Sequence, residues 1–191
     1  MSKQATSKGG RGARQRILDA AAELFYRDGI NATGVERLAA ESSVSKRTLY
    51  QHFPSKTAVV EEYLRSIEQR VADSALPEAD GQTPRERMLA VFQAPTTRGG
   101  PLRGCPFHNA AVEAAGAMPG VQEIVRANKR GFIAVLTELA KQAGAADPQL
   151  LGSELGVLYE GAAALATSLD DSSPWAQARM AAETLIDRAV A

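Results

Sequence analysis

The sequence predicts an all-α chain of about nine helices, with an N-terminal three-helix head followed by a larger helical body. Three observations predict it. Alanine is abundant and aromatic residues make up only 5% of the 191 residues, a balance that favours helices because alanine loses no side-chain entropy there. No run of alternating β-branched residues marks a strand. Apolar residues instead recur at spacings of three and four, between Ser, Thr or Asp starts and Gly stops.

Residues 1–12 hold Gly, Ser, Lys3, Lys8 and Arg11 with no apolar side chain fit to anchor a fold, and are expected to form a flexible basic arm. In Ala13–Asp28, Ile17, Leu18, Ala21, Leu24 and Phe25 fall on one helical face, and Gly29 supplies the left-handed residue that ends the helix. Thr33 stands at a capping position for a second helix over Gly34–Glu41, with Glu36 at capping-box spacing. Ser42–Ser43 reads as a turn anchored by Val44, and Ser45 as the cap of a third helix over Lys46–Phe53. Two short helices joined by such a turn form a helix-turn-helix pattern. Only Leu49 and Phe53 of the third helix look buried; Lys46, Arg47, Thr48, Tyr50, Gln51 and His52 are polar or amphipathic. A helix that polar needs support from its neighbours or a partner on its outer face.

Pro54 stops the third helix and Ser55 caps a fourth, Lys56–Ser74, whose Val59, Val60, Tyr63, Leu64, Ile67 and Val71 keep helical spacing. Residues 76–83 read as a linker and 94–104, APTTRGGPLRG, as a loop. Pro84 after Thr83 opens a helix to about Gln93. Residues 106–116 form a short helix, and Pro119 opens a longer one to about Gly144. Asp147–Pro148 and Ser173–Pro174 start the last two, ending near Leu169 and Val190. The domain reading is therefore a basic arm at 1–12, a helix-turn-helix domain at 13–56 suited to DNA, and a helical body at 57–191.

The formal net charge is zero but unevenly spread: residues 1–56 carry 10 Lys and Arg against 5 Asp and Glu, and the remainder 12 against 17. A basic end on an acidic body suits a polyanion bound at one end. The single Cys105 excludes an intrachain disulfide framework. The N-terminal MSKQATSKGGRGARQR has no apolar h-region, and no apolar run nears the roughly 20 residues that span a bilayer. The expectation is a cytoplasmic protein without a membrane partner. Two distant histidines and one cysteine do not make a tetrahedral metal set. Cys105 and His108 lack an evident third partner for nucleophilic chemistry, so no enzyme activity, metal or cofactor is expected.

The stretch Val44–Lys56 resembles the signature of the TetR family of bacterial transcriptional repressors. Thr48-Leu49-Tyr50, His52-Phe53 and Lys56 fall at that signature's places, preceded by Ile17-Leu18-Asp19-Ala20-Ala21, Leu24-Phe25, Gly29, Thr33 and Leu38-Ala39. The likeness covers about residues 14–64, and RGCPFHNAAVEAA resembles ligand domains of one TetR subgroup. Two departures stand out: Ser42-Ser43 replaces the family's usual Ala-Gly, and Arg47 replaces a frequent Gly.

These readings give candidate sites. Lys46, Arg47 and Gln51 are placed to read bases, with arginine suited to guanine and glutamine to adenine. Thr33, Thr48 and Lys56 are candidate phosphate contacts, Lys56 at the start of a helix, and the resemblance implies the same for Tyr50 and His52. The resemblance also implies that 57–191 is a ligand-binding and dimerisation domain holding a small-molecule effector, with candidates Phe92, Cys105, Phe107, His108, Asn109, Met118, Phe132 and Tyr159. It implies a homodimer on a near-palindromic operator, built from the last two helices. There Gly161, Ala162, Ala163, Ala164, Ala166, Leu155, Leu158, Leu165 and Leu169 would meet the mate with Trp175, Met180, Leu185 and Ile186. The expected function is a repressor released by a small molecule. The alternatives are a redox-responsive regulator sensing through Cys105, or a helical interaction protein without DNA.

Overall fold

The computed structural model describes residues 12–74, 81–94 and 103–190, and among these the side chains of all but 71–74. All of the basic arm but Gly12, and most of both expected linkers, lie outside the described residues. Within them the chain is all-α, as expected, with nine helices and no strand. They are α1 (Ala13–Arg27), α2 (Val35–Glu41), α3 (Lys46–His52), α4 (Lys56–Ser74), α5 (Pro84–Ala90), α6 (Pro106–Glu113), α7 (Pro119–Gln142), α8 (Pro148–Leu169) and α9 (Ser173–Val190).

The first compact unit closes around α1, which packs on both α2 and α3. Its buried face is the periodic one: Ile17, Leu18, Ala21, Leu24 and Phe25. At its end the Asp28 and Gly29 amides donate to the Leu24 and Phe25 carbonyls, with Gly29 at φ +99°. Helix α2 starts differently from expectation. Gly34 occupies the N-cap position, and no side chain caps the helix. The Thr33 hydroxyl is turned inward and donates to the Gly29 carbonyl at 2.8 Å, so it cannot cap α2, and Glu36 pairs elsewhere.

The turn after α2 closes with the Ser43 amide on the Ala40 carbonyl and the Val44 amide on the Ala39 carbonyl, both 3.0 Å. This paired arrangement is the Schellman closure, which wants a left-handed residue. Ser43 takes that role at φ +52° without being glycine. Ser42 gives its hydroxyl to the Leu38 carbonyl at 2.6 Å, and Arg16 from α1 donates to the Ser42 carbonyl at 3.1 Å. Ser45 then caps α3 as expected, accepting from the Thr48 amide at 3.0 Å. Leu49 and Phe53 are its buried residues, and the Arg14 guanidinium lies 5.3 Å above the Phe53 ring. This compact unit runs to Tyr63. Tyr63 meets Phe25 edge-on with ring centres 5.5 Å apart, and Glu62 pairs with Arg14, so the start of α4 completes the head's packing.

The second unit, from Leu64, is built on α7 and α8, with α9 against α8 and α5 against α7. Its core includes Met88, Leu89, Phe92, Leu136, Leu139, Leu151, Leu155, Trp175 and Ile186. Thr83 and Glu86 form a full capping box for α5, which ends at Ala90, three residues short of the expected stop. Asp147 caps α8 through the Leu150 amide. At α9 the acceptor for the Ser173 amide is Asp171 rather than a Ser173 cap. Helices α7 and α8 touch backbone to backbone: a Cβ at Gly152 would lie 2.8 Å from the Thr137 nitrogen.

The left-handed Ser43 carries a strain that glycine does not, of about 1 kcal/mol. Ser43→Gly should raise the melting temperature by about 2–4 °C in a thermal scan. An unchanged or lower melting temperature would show that the Ser43 side chain repays its own strain.

Candidate nucleic-acid interface

With Leu49 inward, α3 presents Lys46, Arg47, Tyr50, Gln51 and His52 to solvent. One short helix thus brings five of the expected DNA-contacting residues onto one exposed surface. Thr48 is half-buried, with its hydroxyl 2.9 Å from the Ser45 hydroxyl, so it takes part in the helix start. Lys56 is half-buried at the first position of α4, whose start is capped by Ser55 accepting from the Ala58 amide at 3.1 Å. Thr33 does not join this surface. It is fully buried, and its hydroxyl is committed to Gly29; its expected phosphate contact is a misreading of a structural threonine.

Several head cations are held within the head. Arg37 pairs with Asp28 at 2.7 Å, and Arg14 with Glu62 at 2.5 Å. Lys46 meets Glu36 at 2.5 Å. The hydrogen bond from Lys46 holds the Glu36 carboxyl below its ordinary range, and the same bond holds the Lys46 ammonium above its own. Among the described residues Arg47 has no ion-pair partner.

The body holds a cavity of about 290 Å³ beside α6 and α8, lined by Gly104, Cys105, His108, Asn109, Glu160 and Thr167 among others. Gly104 (φ +67°) lets the chain pass close to α8: a Cβ there would press 3.3 Å from the Ala163 carbonyl. Lys129 from α7 donates to the Cys105 sulfur at 3.3 Å and to the Glu160 carboxylate at 2.5 Å. His108 Nδ1 stands 3.8 Å from the other Glu160 oxygen. Asn109 spends its amide on the Arg103 carbonyl at 2.6 Å.

Comparison with known proteins decides what this arrangement belongs to. Residues 17–63 match the bacterial regulatory proteins of the tetR family. A TetR-type transcriptional regulator from Streptomyces avermitilis, known from its crystal structure, is similar throughout. The two share 32% identity over 94% of this chain and 98% of that one, with a TM-score of 0.81. The chain belongs to the TetR family. A TetR-family regulator from Streptomyces coelicolor is similar at 31% identity over 94% of this chain and 96% of that one, with a TM-score of 0.75. The regulator LmrA of Bacillus subtilis is 24% identical over 85% of this chain and 90% of its own length. The repressor KstR2 of Rhodococcus jostii is 41% identical over 61 residues, which span only 32% of this chain and 30% of that protein.

As a TetR-family member the protein is a DNA-binding transcriptional regulator with a helix-turn-helix at α2–α3. The expected effector residues are less unified than its head. Cys105, His108 and Asn109 line the cavity. Phe107 is buried against the fold, and Phe92 lies in the body core beside a different cleft, with Trp175. Phe132 and Tyr159 meet with their rings tilted and centres 4.8 Å apart, Tyr159 also touches Trp175, and Met118 stands at the N-cap position of α7. Lys129 and Glu160 were not among the expected residues. Glu160 had a signal, an acid within the otherwise apolar and small run of α8, but Lys129 reads from sequence as an ordinary surface cation. Among the described residues no helix is long and apolar enough to cross a membrane, and no group of three metal-binding side chains occurs.

If Thr33 is structural, Thr33→Val should lower stability by about 1 kcal/mol, the worth of one hydrogen bond. The same variant should leave the salt dependence of DNA binding unchanged. Urea melts and a salt titration of DNA affinity check the two halves.

Proposed function

We propose that this TetR-family regulator is a repressor that binds a near-palindromic operator as a homodimer and is released by a small molecule held in its body. The observation that carries the DNA half is the single exposed face of α3, held by one buried leucine and a serine cap. A short helix with its polar face outward enters a major groove, and its first residues meet base edges. Arg47 is the strongest candidate reader, since its guanidinium matches guanine bidentately. Gln51, one turn on, suits adenine. Tyr50, His52, Thr48 and Lys56 are proposed to hold phosphates, Lys56 with the help of the α4 dipole.

The dimer is supported by apolar surface that the chain leaves uncovered. Val157, Gly161, Ala164 and Leu165 share an exposed side of α8, and α9 adds Met180; Val157 is 73% exposed and Met180 62%. Such a stripe fits a symmetric helix pairing. The seam is narrower than the sequence suggested. Leu155, Ala162, Ala163, Ala166, Trp175 and Ile186 are buried within the chain, and Leu158 and Leu185 pack against the same core. The effector half is supported by the cavity beside Cys105, His108 and Asn109. The continuous α4 runs from the first unit into the second and is the proposed lever between effector and head.

Selection of bound duplexes from a random library tests the whole reading: enriched sites should show two related half-sites about one helical turn apart. On the enriched duplex Arg47→Ala should relax one position per half-site by about 1–3 kcal/mol. Lys56→Ala should weaken all sequences alike and flatten the salt slope by about one unit per head.

A second reading of the signal, oxidation at Cys105, is favoured by the Lys129 ammonium lying 3.3 Å from the sulfur at the cavity wall. Under that reading hydrogen peroxide should release the wild-type protein from its enriched duplex and leave Cys105→Ser bound, as read by fluorescence anisotropy.

A further inference from the structure

We propose that Glu36 is a positioning residue for selectivity: it holds Lys46 in the DNA-free head, so that Lys46 strengthens binding only on DNA able to take it over. The inference rests on the DNA-binding reading of α3 and adds a residue of α2 to it.

The geometry is specific. Lys46 is the first residue of α3, Glu36 is in the first turn of α2, and their charges meet at 2.5 Å across the helix-turn-helix. Both side chains are largely exposed, at 53% and 74%, so the pair stands on the solvent side of the motif and not in its core. Each partner's ionisation is pulled towards its charged form, Glu36 downwards and Lys46 upwards, chiefly by the hydrogen bond between them. The adjacent Arg47 has no ion-pair partner among the described residues. The two neighbouring cations at the start of α3 are therefore unlike: one is ready for DNA, and the other is already neutralised.

Non-specific affinity comes from cations that neutralise phosphates and release counterions. A lysine tied to a carboxylate brings no net charge to that encounter, and the carboxylate itself is repelled by the phosphates. At the right sequence the balance differs. Guanine O6 and N7 accept from the ammonium in a fixed geometry, and that gain offsets the loss of the exposed ion pair. An exposed pair of this kind is weak enough to exchange partners. Glu36 therefore subtracts more from random DNA than from the operator.

The test uses the full-length protein, a duplex enriched by selection and a scrambled duplex of the same composition. Glu36→Gln keeps the shape and removes the charge. It should tighten binding to the scrambled duplex about fivefold at 0.15 M salt and steepen its salt slope by about one unit per head. The enriched duplex should gain less than twofold, so the ratio of the two affinities falls. In a Lys46→Gln background the same change should leave that ratio unmoved. Equal tightening on both duplexes, no tightening on either, or a fall in the ratio that persists without Lys46 would each overturn the role of Glu36. If the wild-type protein enriches no duplex at all, the DNA-binding reading fails instead, and the two failures stay distinct.

Discussion

The head depends on the burial of Leu49. Helix α3 has only seven residues and an outer face of Lys, Arg, Tyr, Gln and His, far too short and polar to persist in water alone. Leu49 is fully buried, and with Phe53 it supplies the apolar area that holds α3 to α1 and α2. Truncating a leucine in such a place costs about 2–5 kcal/mol, a large part of the stability of any small unit. Every exposed residue of α3 takes its direction from that one anchor, since a helix pinned at one side has its other side fixed. The Ser45 cap and the Arg16 bond to the Ser42 carbonyl settle where α3 begins and how the turn before it closes.

The turn shows how a departure from a family pattern is absorbed. Ser43 takes the left-handed conformation that suits glycine, and both closing hydrogen bonds of the turn form. The constraint lies in the backbone bonds of the Ala39 and Ala40 carbonyls, which satisfy the end of α2. Serine meets that constraint at a modest cost, so the change alters stability more than it alters the path of the chain. Arg47 is the opposite case. It changes nothing in the fold, because its side chain points to solvent, and everything about it concerns the partner.

Much of this was legible in the sequence because local rules and tertiary demands agree in the head. The period of α1, the stop at Gly29, the Ser45 cap and the burial of Leu49 each have a short-range signal. Thr33 was misread for a physical reason: a threonine before a helix is a good cap by spacing alone, and only the fold reveals that its hydroxyl faces the Gly29 carbonyl. The pairing of Glu36 with Lys46 was invisible, since it joins two helices ten residues apart. In the body the helix limits were readable, but the allocation of their faces was not. An alanine- and leucine-rich helix has apolar residues on several sides, so sequence could not separate Leu155, which the chain buries, from Leu165, which it leaves exposed.

That division of faces makes α8 the helix through which the body's proposed roles would have to communicate. One side, with Leu151, Leu155, Ala162 and Ala166, belongs to the core. A second, with Glu160, Ala163, Ala164 and Thr167, walls the cavity. A third, with Val157, Gly161 and Leu165, is exposed. Ala164 belongs to both of the last two, and small residues there leave no long side chain to absorb a displacement. Close-packed cores respond to strain by moving as units. Gly152 against Thr137 ties α8 to α7 with no spare room. Under the proposed function, a molecule entering the cavity would press on a helix with little room to yield locally, and a dimer mate laid over Val157 and Leu165 would feel the same push.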